Sequence, residues 1–201
     1  MASSIDRIRL VLGTIIVLAE PLSIEGLRQL LHLEIGDVRL ALRGLYSVLS
    51  VPDQIHEPVN TLHKSLHNFL TDRQRSQIYY INSTIRHCEL ARTCLGFMRR
   101  ELRYDICGIG DPSRLNSEVT DLRQRRDTRI SRRLWYACCH WAFHVSRAPQ
   151  DYDLLAEVRA FMFQYILYWI ETLSILDDLG YASPSIDNAL QWLQVRHFET
   201  L

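Results

Sequence analysis

Lys64 is the only lysine among the 201 residues, and it stands in the run Leu62-His63-Lys64-Ser65-Leu66-His67-Asn68-Phe69-Leu70, after a strand-like stretch and at the opening of a helix-like one. The run stands where a helix start exposes backbone N–H groups and positive dipole, which places His63 and Lys64 at its opening. The lysine itself invites comparison with a phosphate-binding P-loop. That motif needs a glycine-rich turn whose amides cradle phosphate, with the lysine directly behind its last glycine. No glycine precedes Lys64 closer than Gly44, so nucleotide hydrolysis by that route is excluded.

Other residue groups imitate chemistry without completing it. Cys138, Cys139, His140 and His144 offer metal-ligating atoms, with the two histidines four apart on one helix face. Adjacent cysteines point about a quarter-turn apart, however, no second ligand pair follows at a suitable spacing, and Trp135 and Trp141 mark the stretch as packed core. His63 and His67 share a spacing but no glutamate follows His63 to act as a metalloprotease base. Gly108-Ile109-Gly110 lacks a third glycine and a preceding strand. Asp177-Asp178 falls where a helix ends before Gly180 and reads as a solvated pair, and Gly-x-Ser-x-Gly is absent. No catalytic residues and no metal ligands are assigned, and the chain is expected not to be an enzyme.

The elements that would position His63 follow from periodicity. Ile5, Ile8, Leu12, Ile15 and Ile16 recur at helical spacing until Pro21. Ser23 then caps a second helix with Glu25 in its first turn and Ile24, Leu27, Leu30 and Leu31 as its apolar stripe. Asp37 is expected to cap a third helix carrying Val38, Ala41, Leu42 and Leu45. Val48–Val51 and Val59–Leu62 read as a β-hairpin across a proline-bounded loop. Three helices and a hairpin predict a winged helix over residues 1–76. Arg73–Gln77 reads as a polar connector and Ile78–Ile81 as an extended piece. Asn82 is then the cap of a long helix with Ile85, Cys88, Ala91, Leu95, Met98 and Leu102 on one side.

Residues 77–201 predict a helical bundle. Cys107–Ser113 is a loop by its breakers, and arginine-rich Asp121–Arg133 is a solvated helix or connector. Buried stripes follow at Leu134, Ala137, Cys138, Trp141 and Val145; at Leu154, Val158, Phe161, Tyr165 and Trp169; and at Ile186, Leu190 and Leu193. The fold class is therefore mainly α.

Composition bounds the partners. Hydrophobic residues make up 47% and charged residues 23%, the balance of a soluble globular chain, and 23 basic side chains cancel 23 acidic ones. No overall field draws the chain to nucleic acid or membrane. Locally, residues 82–133 hold twelve arginines against seven carboxylates, while 134–201 hold three against eight, so the two blocks are expected to meet each other or a neighbouring domain. Five cysteines at irregular spacing argue for a reducing compartment, hence the cytoplasm. Arg7 and Arg9 before Leu10–Ala19 imitate a secretory signal, but Asp6 spoils the basic leader, and Phe161–Leu176 is too short and polar to span a bilayer. A DNA-binding winged helix needs cations on its third helix and wing. Here the helix sets Arg39 and Arg43 against Asp37, and the wing carries Asp53 and Glu57.

Laid end to end, Leu18–Ser23, Gly36–Leu45, Leu49–Pro52, Leu62–Ser65 with Phe69–Asp72, and Tyr136–Cys138 with Trp141-Ala142 resemble the region downstream of the NTPase core in fungal NACHT proteins, STAND-class signal-transduction NTPases. The resemblance covers nearly the whole chain. It implies a winged helix that closes over bound ADP, with a NACHT NTPase domain upstream and ligand-sensing repeats downstream as partners, both outside these residues. ADP or ATP would be the cofactor only when that NTPase domain is joined. It further implies that His63 matches the histidine of a methionine-histidine-aspartate motif that contacts the β-phosphate of ADP. Leu62 stands in place of the methionine, Lys64 in place of the aspartate, and Leu66 and Asn68 in place of phenylalanine and aspartate. The other reading of His63 is a cap or packing residue at the helix start. The function expected is a non-catalytic regulatory segment of such a switch, as a fragment or a shortened gene product; the alternatives are a free-standing interaction module and a winged-helix DNA binder.

Overall fold

The computed structural model describes residues 4–111 and 113–194. Pro112 of the expected 107–113 loop and residues 195–201 of the acidic block lie outside the described residues. Among those described, the fold is mainly α, with eleven α-helices and one two-stranded sheet. The chain divides into two compact units, Met1–His87 and Cys88–Leu201, and the division falls inside one long helix, α6, Ser83–Glu101.

The first unit opens with α1 (Ser4–Val17), α2 (Ile24–Leu31) and α3 (Ile35–Leu42). α1 packs on α3, which packs on α2, and Val11, Leu12, Ile24, Leu27, Leu30, Val38 and Leu42 form their common core. Each such side chain, fully buried, contributes about 2 kcal/mol. Ser23 caps α2 by accepting the Gly26 amide at 3.1 Å. Asp37 does not cap α3. Glu34 occupies that position, and Asp37 sits one turn inside, where its carboxylate meets Arg7 at 3.2 Å. The apolar face fixes which side of α3 is buried but leaves its first residue undetermined.

Strands β1 (Leu49–Ser50) and β2 (Asn60–Thr61) pair antiparallel with Leu49 opposite Thr61. They are shorter than the expected Val48–Val51 and Val59–Leu62, and the intervening loop fastens elsewhere. Val59 N–H donates to the Leu22 carbonyl, Glu25 N–H to the Ile55 carbonyl, and Ser23 bridges Pro58. The connector expected at Arg73–Gln77 is a helical turn, α5 (Arg73–Ser76), following α4 (Ser65–Thr71). Asp72 caps α5 by accepting the Gln74 and Arg75 amides. The piece expected to be extended at Ile78–Ile81 begins as a 3-10 turn over Gln77–Tyr79. Asn82 does receive the Ile85 amide at the start of α6. Ile85, however, is 52% exposed, and the buried stretch of α6 is Leu90–Met98, where Leu90, Cys94 and Phe97 join the expected stripe.

In the second unit α7 (Leu122–Arg129) buries no side chain, as its composition requires. α8 (Arg132–Val145) is the centre: Leu134, Tyr136, Ala137, Cys138, Trp141, Ala142, His144 and Val145 are fully enclosed. It packs against α10 (Ile166–Leu176) and α11 (Ala182–Gln194). The stripe from Leu154 to Trp169 is split between α9 (Tyr152–Gln164) and α10 by a break at Tyr165. On α11 the buried residues are Ser185, Ala189 and Trp192, one position off the expected Ile186, Leu190 and Leu193. The spacing is the same. Small Ser185 and Ala189 let the helix approach α8 closely, and the Trp192 indole N–H reaches the Ala148 carbonyl at 3.1 Å.

Indoles pin this unit elsewhere too. Trp169 donates to the Cys138 carbonyl at 2.9 Å, and Trp135 donates to Asp178 at 2.8 Å. Asp178 is thus a half-buried acceptor where a solvated acid was expected, while the exposed Asp177 takes the left-handed position that ends α10. The basic and acidic blocks meet at Arg92, whose guanidinium reaches Asp151 at 2.6 Å and Asp153 at 3.3 Å. Arg125 and Arg133 pair instead within the basic block, with Asp121 and Glu101.

Candidate functional site

β2 delivers the chain to His63, and the Leu62 amide makes the last ribbon contact, to the Val48 carbonyl at 3.0 Å. His63, Lys64, His67 and Asn68 are all exposed. The Ser65 amide donates to His63 Nδ1 at 3.1 Å, and the Ser65 hydroxyl lies 2.8 Å from the same nitrogen. An amide cannot donate to a protonated nitrogen, so in the neutral ring Nδ1 is the acceptor and the proton sits on Nε2. His63 therefore caps the turn with one nitrogen and presents Nε2–H outward, where it meets no acceptor among the described residues. Its capping role and its exposure coexist.

These side chains border a cleft of about 360 Å³. Ile15, Ile16, Leu18, Pro21 and Val59 give it an apolar wall; His63, Lys64, His67, Asn68 and Thr61 give it a polar one. No carboxylate lines it. Leu66 and Leu70, buried beneath α4, hold the polar residues in place. One ammonium, two imidazoles and an amide converging without an acid make an anion-accepting surface. Lys64, His67 and Asn68 were not assigned a role from the sequence. The signal was present, since no acidic residue occurs between Glu57 and Asp72.

A cleft of about 400 Å³ in the second unit is larger but committed to structure. Asp105, at φ 49°, accepts the Ile109 and Gly110 amides at 2.6 and 2.9 Å, and Asn116 donates to the Ser174 carbonyl. Burial raises the pKa of Glu171, against the backbone amides of Asp105 and Ile106 that lower it. The cysteine-histidine stretch on α8 is likewise core: Tyr136 OH and His144 Nε2 are 2.9 Å apart, and none of the five cysteines forms a disulfide. No group of three or more metal-ligating side chains converges among the described residues. Arg39, the leading cation of α3, donates to the Asp53 carbonyl of the β1–β2 loop at 2.9 Å. No described helix is long and apolar enough to cross a membrane.

No family model, curated protein or solved structure matches the chain.

Proposed function

We propose that this chain is a non-catalytic regulatory segment of a NACHT-type signal-transduction switch in the cytoplasm. In this reading α1 to α3 with the β1–β2 ribbon act as a winged helix that covers a nucleotide held by an upstream NTPase domain, and the helices beyond residue 77 link it to a downstream repeat domain. The observation that carries the reading is the carboxylate-free cleft bordered by His63, Lys64, His67 and Asn68. The outward Nε2–H of His63 suits a phosphate oxygen, and Lys64 adds a full charge beside it. Five cysteines without a disulfide support a reducing compartment. The bond from Arg39 to the loop carbonyl draws that side chain away from a role in reading DNA.

The test is a fusion that joins a NACHT NTPase domain ahead of residue 1. ADP retained through purification is quantified, and His63→Ala is expected to weaken retention roughly ten- to a hundredfold, the loss of one hydrogen bond to a charged group. Unchanged nucleotide occupancy would refute the role of His63. The chain alone is expected to turn over neither ATP nor GTP.

A further inference from the structure

We propose that the groove between α6 and α9 is a docking site for an acidic peptide segment of a partner protein, with one apolar side chain on the groove floor and its carboxylates on Arg99 and Arg100. The groove encloses about 200 Å³. Leu95 and Phe161, each 3% exposed, form the floor, with Ala160 and Tyr165 beside them.

The groove's charges are not equivalent. Arg92 is held by Asp151 and Asp153, and its Nε lies 3.9 Å from Glu157, the one carboxylate lining the groove. Glu157 therefore already faces a guanidinium. Arg99 acts on Glu157 through its field, without an ion pair at contact distance, and Arg100 lies over the Phe97 ring at 5.2 Å. Both are exposed, and neither makes a contact ion pair among the described residues. A guanidinium stacked on a ring keeps its edge N–H donors open to a carboxylate fork. Gly96, which lines the groove, gives the Arg100 guanidinium room to lie against α6: a Cβ there would stand 3.3 Å from Arg100 Nη1. Two uncompensated cations beside an apolar slot select a ligand that is anionic and apolar at once.

Size narrows the class. Small-molecule sites usually enclose about 300–1,000 Å³, so a nucleotide exceeds this groove. Inorganic phosphate would leave the floor unused. An aromatic or long aliphatic side chain flanked by aspartates or glutamates satisfies both parts.

The test is selection from a random peptide display library on the immobilised full chain. The selected pool is expected to carry an excess of acidic residues around an aromatic or aliphatic one. Capture should fall about tenfold or more with R99E/R100E, which reverses two exposed charges, and should fall with Gly96→Leu, which fills the slot without changing charge. Arg123→Glu, on α7, should leave capture intact. A pool without acidic excess, no enrichment above the blank surface, or capture indifferent to R99E/R100E would overturn the proposal. Displacement of the pool by millimolar inorganic phosphate alone would also overturn it, assigning the groove to a small anion.

Discussion

Glu25 shows how tightly one surface carboxylate can be held. It accepts from Arg28 at 2.8 and 2.6 Å and from Gln29 at 2.6 Å, and the Arg28 bonds bring its pKa down to about 2. Because the folded value is depressed, this stabilisation is fully present above the unfolded value near 4.5 and is lost as pH falls toward 2. The pair is partly solvated, so solvent screening keeps the effect small. Arg28→Met should flatten the pH dependence of stability between those values, as read by chemical denaturation at each pH. His63 offers a second measurement. Long-range proton–nitrogen correlation on the neutral ring should report the Nε2–H tautomer, because the Ser65 amide occupies Nδ1; an Nδ1–H ring would contradict the geometry. The sequence marked His63 through its position, but the cleft that joins it to His67 and Asn68 is made by α1 and β2, whose approach to α4 no local pattern encodes.

At the scale of elements, caps carry much of the design. Ser23→Ala should cost about 1 kcal/mol, the usual loss for a serine N-cap, measured by urea denaturation. Asp151 does two things: it accepts the Leu154 amide at 2.8 Å to start α9, and it receives Arg92 from α6. Asp151→Ala should therefore cost more, about 2 kcal/mol, while Asp151→Asn retains the cap and loses only the ionic part. Helices α1 to α3, α6 and α8 were legible because their apolar residues repeat and Pro21, Ser23 and Asn82 punctuate them. The break at Tyr165 was not, since neither glycine nor proline marks it. The buried side of α11 was misread by one residue because Ile186 and Leu190 outrank Ser185 and Ala189 in hydrophobicity. Closeness of approach, a property of the partner helix, decided the register. The four-residue α5 was missed although Asp72 signals it, being too short to show a period.

Across the whole molecule, chemistry is sorted by burial. Cys94, Cys107, Cys138 and Cys139 are buried and Cys88 is half-buried; burial alone pushes the Cys94 thiol up to about 12. A thiol-specific chromogenic reagent should therefore find at most one slow site, Cys88, in the native protein and five in denaturant. Rapid native labelling of more than one would contradict the burial of Cys94, Cys107, Cys138 and Cys139. The opposite sorting applies to amines. Arginine supplies every other strong cation, so the exposed Lys64 at the mouth of its cleft is the only side-chain amine that an acylating reagent can modify. The molecule thus carries a built-in single-site reporter. The rate of Lys64 acetylation, followed by the mass of the peptide that carries it, becomes a footprint of whatever occupies that cleft, with no engineered label and no second side-chain site to correct for.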